Sequence, residues 1–300
     1  MTVPLDPGLT LDYQIVDVFT ETALKGNGLA VVFDTVGLPT ERMQTIAREF
    51  NLSETTFIQR RDPETERREG VRVRIFTTQE ELPFAGHPTL GTASVLMLSA
   101  PKALDGDTIH LALNVGRVPV RFSEGLFGEM TQRDPEFGPE LDPKTVAGLI
   151  GLDLDDLASS AAPQIVSTGT AFAIVALRSH QPLARLHVDQ EAATKYLRER
   201  GGRWFFVLGP TGDTKPEWRA RMQFYGGEDP ATGSAAGCAI SYLVRHGMVA
   251  PNTRIHVQQG VEIGRTSDLF LAADSVDGKV RDIRVAGSTV RVAKGQLFLP

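Results

Sequence analysis

His87-Pro88-Thr89-Leu90-Gly91-Thr92-Ala93 and Asp229-Pro230-Ala231-Thr232-Gly233-Ser234-Ala235 read as two copies of one motif. Pro, Gly and Ala coincide, a hydroxyl residue follows each Gly, and only the leading residue changes type. The offset is 142 positions (229 minus 87), close to half of the 300 residues. Each copy predicts the opening of a helix, because proline is tolerated in the first turn, where its missing N–H would have had no partner. Both run on into small and apolar residues, Ser94-Val95-Leu96-Met97-Leu98 and Ala236-Gly237-Cys238-Ala239-Ile240. A helix apolar nearly all round is a buried one. The spacing thus predicts two similar domains, each with a central helix whose N-terminus carries one ionisable side chain. Function belongs where those helix ends meet.

Outward from the motif, β-rich stretches dominate. Residues 13–19 and 29–33 flank a hairpin-like loop holding Gly26-Asn27-Gly28. Residues 40–50 have helical spacing with Thr40 as N-cap, and 55–59 follow as a strand. Residues 71–76 alternate, and residues 219–224 alternate in the same way before the second copy. The interval to the motif is thirteen residues from Arg74 but eight from Arg221, which predicts a loop five residues longer in the first copy. Strands are expected at 108–114, 117–122, 127–132, 165–168 and 172–177, and helices around 143–150 and 189–200. Residues 60–68, with arginines flanking Asp62, Glu64 and Glu66, read as a solvated turn. The pattern predicts an α+β fold of two similar domains, each a β-barrel wrapped round a central helix. Proline density puts the boundary near Arg133. The N-terminal domain is then 1–132, with 288–300 as a candidate completion, and the C-terminal domain is 133–287.

A content of 41% apolar and 23% charged residues suits two globular domains able to bury a sizeable core. Net charge of −6 without a basic cluster argues against nucleic acid and against an anionic membrane surface. The single cysteine, Cys238, excludes an intrachain disulfide and fits a reducing compartment. The opening MTVPLDPGLTLDYQIV lacks a signal-peptide pattern, and the apolar run 171–177 is far too short to span a bilayer. A cytoplasmic protein is expected. No G-x-G-x-x-G or Walker motif opens a helix. The six histidines are scattered without ligand spacing, so no metal is expected. Gly233-Ser234-Ala235-Ala236-Gly237 is not a nucleophile elbow.

A helix N-terminus presents unpaired N–H groups and about half a positive charge. Two such ends in one cleft would hold a carboxylate substrate or stabilise charge developing on it. Gly91 and Gly233 allow close backbone approach. Asp229-Pro230 also fits a structural N-cap and N1 pair, whereas His87 is not a preferred cap. Hydroxyls placed like those of Thr92 and Ser234 commonly bond back to the backbone. Glu49, Glu54, Glu80, Glu81 and Glu228 are carboxylates suited to moving protons, and pattern alone leaves them unranked.

Several stretches together rank them. Val16-Asp17-Val18-Phe19, Gly26-Asn27 with Ala30-Val31-Val32, and Asn51-Leu52-Ser53-Glu54-Thr55-Thr56-Phe57 come first. Phe84-Ala85-Gly86-His87-Pro88, Ser167-Thr168-Gly169, Glu228-Asp229-Pro230 and Gln259-Gly260 with Gly264-Arg265 complete the set. In this order they resemble the PhzF (phenazine biosynthesis) family, across almost the whole chain. Gly28, Thr78 and Thr266 stand where that family commonly has proline. The resemblance implies a diaminopimelate epimerase-like fold with the active site in the interdomain cleft, no metal or organic cofactor, and a homodimer. It implies Glu54 as general acid/base, His87 and Asp229 assisting from the helix ends, and substrate contacts from Gly86, Gly233, Ser234, Thr92 and Gly169. The implied reaction is isomerisation of trans-2,3-dihydro-3-hydroxyanthranilate, in which a proton leaves one ring carbon and returns to another.

A positioned base with a raised pKa in a dry cleft suits such chemistry. Epimerases of the related fold use two thiols, and with one cysteine that variant is excluded. An epimerase or racemase of an amino or hydroxy acid without thiols, and a catalytically silent small-molecule binder, are the alternatives.

Overall fold

The strands follow runs of β-branched and aromatic residues, as in Thr55-Thr56-Phe57-Ile58 and Val71-Arg72-Val73-Arg74-Ile75-Phe76. A computed structural model describes residues 8–99, 106–212, 215, 217–224 and 227–299. Residues 1–7, part of the opening stretch that lacks a signal-peptide pattern, lie outside these. The first half runs β1 (Leu9–Val18), β2 (Asn27–Val32), α1 (Thr40–Phe50), β3 (Glu54–Gln59), α2 (Pro63–Glu69), β4 (Val71–Thr77), β5 (Glu81–Leu82), α3 (Gly86–Ser99), β6 (Thr108–Leu113), β7 (Gly116–Phe122) and β8 (Gly128–Gln132). The second runs β9 (Glu136–Glu140), α4 (Pro143–Leu149), β10 (Gln164–Ser167), β11 (Ala171–Ala176), α5 (Gln190–Arg198), β12 (Trp204–Pro210), β13 (Trp218–Arg221), β14 (Gln223–Phe224), β15 (Gly227–Glu228), α6 (Gly233–Arg245), β16 (Ile255–Gln259), β17 (Ser267–Val276) and β18 (Lys279–Gly287), followed by β19 (Thr289–Leu299).

Strand pairing repeats. In the first half β1–β2 is antiparallel, β2–β3 parallel, β3–β4 antiparallel, β4–β6 parallel, and β6–β7 and β7–β8 antiparallel. In the second, β10–β11, β11–β12, β12–β13, β13–β16, β16–β17 and β17–β18 follow the same alternation. Strands β8 and β18 pair with Gln132 opposite Ile283, joining the two runs into one 17-stranded network. Strand β19 returns to the first half, Leu299 opposite Leu9 on β1. The fold is mixed α and β, with six α-helices among the described residues.

The register of the repeat differs from the sequence expectation. Arg74, Glu81 and Gly86 each have a counterpart 147 positions later, at Arg221, Glu228 and Gly233 (221 minus 74), and β6 and β16 start at the same offset. No longer loop exists in the first copy. His87-Pro88 lies inside the first turn of α3, whereas Asp229-Pro230 lies before α6, whose N-cap is Thr232. The counterpart of His87 is therefore Ser234, and Asp229 is not a helix cap. Proline fits both the first helical turn and the loop ahead of it, so the two Pro-x-x-Gly matches coincide out of structural register.

Two smaller expectations are also corrected. Residues 63–69 form helix α2 rather than a turn, because the Asp62 side chain accepts from Thr65 N at 3.0 Å and Pro63 occupies the first turn. The N-cap of α1 is Pro39 rather than Thr40, whose hydroxyl instead accepts from Arg74 Nη2 at 3.1 Å.

Helices α3 and α6 are buried on every side, from Gly86 through Leu96 and from Gly233 through Val244. Gly91 makes this possible in the first half. A Cβ there would stand 2.7 Å from both Leu29 Cδ2 and Val18 Cγ2, so only glycine lets the β1–β2 hairpin lie on α3. Amphipathic α1 covers an outer face through Met43 and Ile46 against Phe57 and Phe76. Helices α4 and α5 cover β10–β12 through Val146, Ala193 and Leu197. The larger of these side chains, such as Met43, Ile46, Val146 and Leu197, each contribute about 1.5–3 kcal/mol when removed from water. No helix among the described residues is long and apolar enough to cross a membrane.

Candidate active site

The N-termini of α3 and α6 meet. A Cβ on Gly86 would stand 2.4 Å from Gly233 C and from Ser234 N, so the helix ends touch through bare backbone. Around this contact lie Glu54, at the start of β3 beside Leu29 of β2, His87 in the first turn of α3, and Asp229 between β15 and α6. All three are buried, with exposures of 8%, 2% and 4%.

Asn27, at the start of β2, binds the group together. Its amide nitrogen donates to Asp229 Oδ1 at 2.7 Å and to the Ala231 carbonyl at 2.9 Å, and lies 3.2 Å from His87 Nδ1. Two carbonyl-type acceptors identify that atom as the amide NH₂. That NH₂ has two hydrogens and nothing to accept with, so His87 Nδ1 faces it as a third acceptor sharing one of them, which places the imidazole proton on Nε2. That Nε2 faces Glu54 Oε2 at 3.5 Å. Neither atom has a hydrogen-bond partner, although both are buried. An unsatisfied buried polar atom costs about 1–3 kcal/mol, so this facing pair does not serve the stability of the fold.

Asp229 is well supported. Besides Asn27, Ser53 Oγ donates to its Oδ1 at 3.1 Å and Thr232 Oγ1 to its Oδ2 at 2.6 Å. Gln259 spans the turn, donating to the Asp229 carbonyl at 2.8 Å and accepting from Thr232 N at 3.0 Å. Gln132 ties α6 to the strands, donating to the Gly233 carbonyl at 2.9 Å and accepting from Thr168 Oγ1 at 2.6 Å.

Burial sets the electrostatics. It raises the Glu54 carboxyl well above its ordinary value, and the Asp229 charge pushes the same way. It raises Asp229 to about 6, against the hydrogen bonds from Thr232, Asn27 and Ser53 that favour the anion, while the Glu228 charge adds to the rise. It lowers His87 to about 3, so the imidazole is neutral and its approach to Glu54 is no ion pair. A strong base, a neutral donor and a nearby anion in one dry space form a proton-transfer arrangement.

The other candidates fall elsewhere. Glu81 is paired with Arg74 at 2.5 Å, which holds its carboxyl below the usual range. Glu228 is paired with Arg221, also at 2.5 Å, Glu80 with Arg203, and Glu49 is exposed. The Thr92 hydroxyl meets that of Thr56 at 2.8 Å, fastening α3 to β3, and engages none of Glu54, His87 and Asp229. Ser234 is buried at the helix contact. Gly169, at φ +141°, packs against Phe84 just ahead of α3. Cys238 is buried and its thiol is pushed up to about 11, which removes it from thiolate chemistry at neutral pH. Among the described residues no group of three or more His, Cys, Asp or Glu converges to hold a metal ion. Sequence reasoning missed the roles of Asn27, Ser53, Gln132, Thr232 and Gln259. The Arg74–Glu81–Gly86 and Arg221–Glu228–Gly233 spacing was the available signal for the true repeat register.

The fold resembles that of a solved epimerase. The structure of a hydroxyproline epimerase from Agrobacterium vitis superposes with a TM-score of 0.65 over 97% of this chain and 93% of that one, at 11% identity, a likeness of fold. The chain belongs to the phenazine biosynthesis-like (PhzC-PhzF) family, whose model matches residues 16–295. It is 34% identical over 294 residues, 96% of this chain and 99% of the other, to trans-2,3-dihydro-3-hydroxyanthranilate isomerase of Pseudomonas aeruginosa. A predicted epimerase of Pseudomonas aeruginosa is 32% identical and superposes with a TM-score of 0.82 over 97% of this chain and all of that one. The protein is an isomerase of this family.

Proposed function

We propose that the protein moves a proton between carbons of a small carboxylate substrate without a cofactor, with Glu54 as the acid/base and trans-2,3-dihydro-3-hydroxyanthranilate as the leading substrate. One observation carries the reading: Glu54 Oε2 and His87 Nε2 are buried, 3.5 Å apart and unpartnered. The Glu54 carboxylate takes a proton from one ring carbon, breaking C–H as O–H forms. The electron pair shifts along the conjugated system, and the same O–H proton is delivered to a second carbon. Atoms and electrons balance without an oxidant or co-reactant. His87 Nε2–H donates toward the reacting system, and the Asp229 anion keeps Glu54 basic. The substrate carboxylate lies at the helix ends, on backbone N–H groups around Gly86, Gly233 and Ser234.

We read residues 1–132 with 288–300, and residues 133–287, as two barrel-around-helix domains with the site in the cleft between them. The repeated pairing order and the β19–β1 pairing support this. A cytoplasmic homodimer is part of the same reading, and cross-linking of purified protein checks the dimer.

Proton NMR of trans-2,3-dihydro-3-hydroxyanthranilate in D2O tests the function. Wild type converts it, and Glu54→Gln loses roughly 10²–10⁴-fold, the range of a positioned acid/base. Absence of conversion by wild type would reject this substrate, and full activity of Glu54→Gln would reject the base.

A further inference from the structure

We propose that Arg265 is a positioning residue for the site: its guanidinium clamps the Gly26–Asn27 peptide so that the Asn27 amide imposes the Nε2–H tautomer on His87. The inference rests on the reading of Glu54, His87 and Asp229 given above. Arg265 lies in the turn between β16 and β17 and reaches into the first half of the chain. Its Nη2 donates to Asp17 Oδ1 at 2.7 Å, and its Nε donates to the Gly26 carbonyl at 3.0 Å. The buried Asp17 uses its other oxygen to accept from Leu24 N at 2.6 Å, so one carboxylate joins the arginine to the same loop. Gly26 N donates to the Thr266 carbonyl at 3.0 Å, and Lys25 Nζ to the Gly264 carbonyl at 2.9 Å.

This strap touches the other side of the site as well. Arg265 N donates to the Gly260 carbonyl at 2.9 Å, and a Cβ on Gly260 would stand 2.7 Å from the Pro230 carbonyl oxygen. Gln259, next in the chain, holds the Asp229 carbonyl and Thr232. One turn therefore braces both the Asn27 peptide and the Asp229 segment. Asn27 must place a single NH₂ between His87 Nδ1, Asp229 Oδ1 and Ala231 O, a geometry that tolerates little movement of its own peptide. The planar fork of arginine serves two acceptors at fixed angles, which the point charge of lysine does not.

The test labels histidine with ¹⁵N and assigns the His87 ring by difference from His87→Gln. Wild type is expected to show protonated Nε2 and unprotonated Nδ1. In Arg265→Met the two signals move toward a tautomeric average, as they do in Asn27→Ala. The turnover number falls roughly 10- to 100-fold, the effect of a sub-ångström to 1 Å misplacement, while KM changes little. Arg265→Lys, which keeps the charge but not the fork, falls between. A lowered melting temperature with unchanged His87 signals and turnover would make Arg265 a plain structural strap and overturn the proposal. A tautomer shift in Asn27→Ala but not in Arg265→Met would overturn it too. If Arg265→Met does not fold, Asp17→Asn is read in the same way. The ring signals decide the question even if wild type fails to turn over the leading substrate.

Discussion

Gly86→Ala is the sharpest test of the helix contact. Gly86 has no left-handed φ, so alanine suits its backbone and the added methyl is the whole perturbation. That methyl would stand 2.4 Å from Gly233 C and Ser234 N, whereas ordinary contact begins near 3.4 Å. Both neighbours are backbone, so the helix ends must separate by about 1 Å. Overpacking of this kind costs about 1–3 kcal/mol. At about 2 °C per kcal/mol for a chain of this size, the melting midpoint falls by roughly 2–6 °C. His87 moves with the helix, and a shift near 1 Å at a reacting centre costs on the order of 10²-fold in turnover. Gly148→Ala in α4 is the control, since nothing lies within 4 Å of its Cβ position. It should gain about 0.4–1 kcal/mol from the unfolded chain and leave turnover unchanged. Circular dichroism melts and initial rates read both. Wild-type stability and turnover in Gly86→Ala would refute the contact and its place in the site.

Further expectations concern charge. Because burial and Asp229 hold Glu54 above its ordinary value of 4.5, kcat/KM rises with pH along a limb lying above that value. Asp229→Asn removes a neighbouring anion and moves the limb to lower pH; an unmoved limb would separate the two groups. His87 binds a proton below pH 6.5 when unfolded but only near 3 when folded, so its contribution to stability shrinks as pH falls through that window. Asp229 has the opposite sign: the folded chain keeps its proton up to about 6 against an ordinary 3.8, so stability drops as pH rises between those values. The slopes, up to about 1.4 kcal/mol per pH unit each, oppose one another in wild type. In His87→Gln the urea midpoint should therefore decline from pH 3.8 to about 6 relative to wild type, and parallel profiles would disprove this balance. Arg221→Met leaves Glu228 buried and unpaired and should cost about 3–5 kcal/mol in urea unfolding. Its counterpart Arg74→Met should cost less, because Arg74 and Glu81 are 16% and 23% exposed against 9% and 6% for Arg221 and Glu228. Equal losses would remove burial as the cause.

Much of the fold is local and was readable. The strands follow alternation and β-branched runs, and the two central helices announce themselves as small, apolar stretches with no polar face. Where local chemistry was ambiguous, reading from sequence slipped. Asp62-Pro63 capped a helix in what read as a turn. Pro88 and Pro230 gave the same signal from different sides of a helix start.

Sequence by itself determined that there are two like halves, that each carries one small, apolar helix, and that a single cysteine offers no thiol pair within the chain. Those properties reside in composition and in spacings of a few residues. It also supplied Glu54, His87 and Asp229 as candidates through motifs resembling a family. Only the tertiary structure decided the repeat register of 147, the meeting of Gly86 with Gly233, and the assembly of Asn27, Glu54, His87 and Asp229 in one dry space. Those residues come from four separate segments, and their protonation states follow from burial and from partners distant in the chain. No local pattern encodes a desolvation that only the packed halves create.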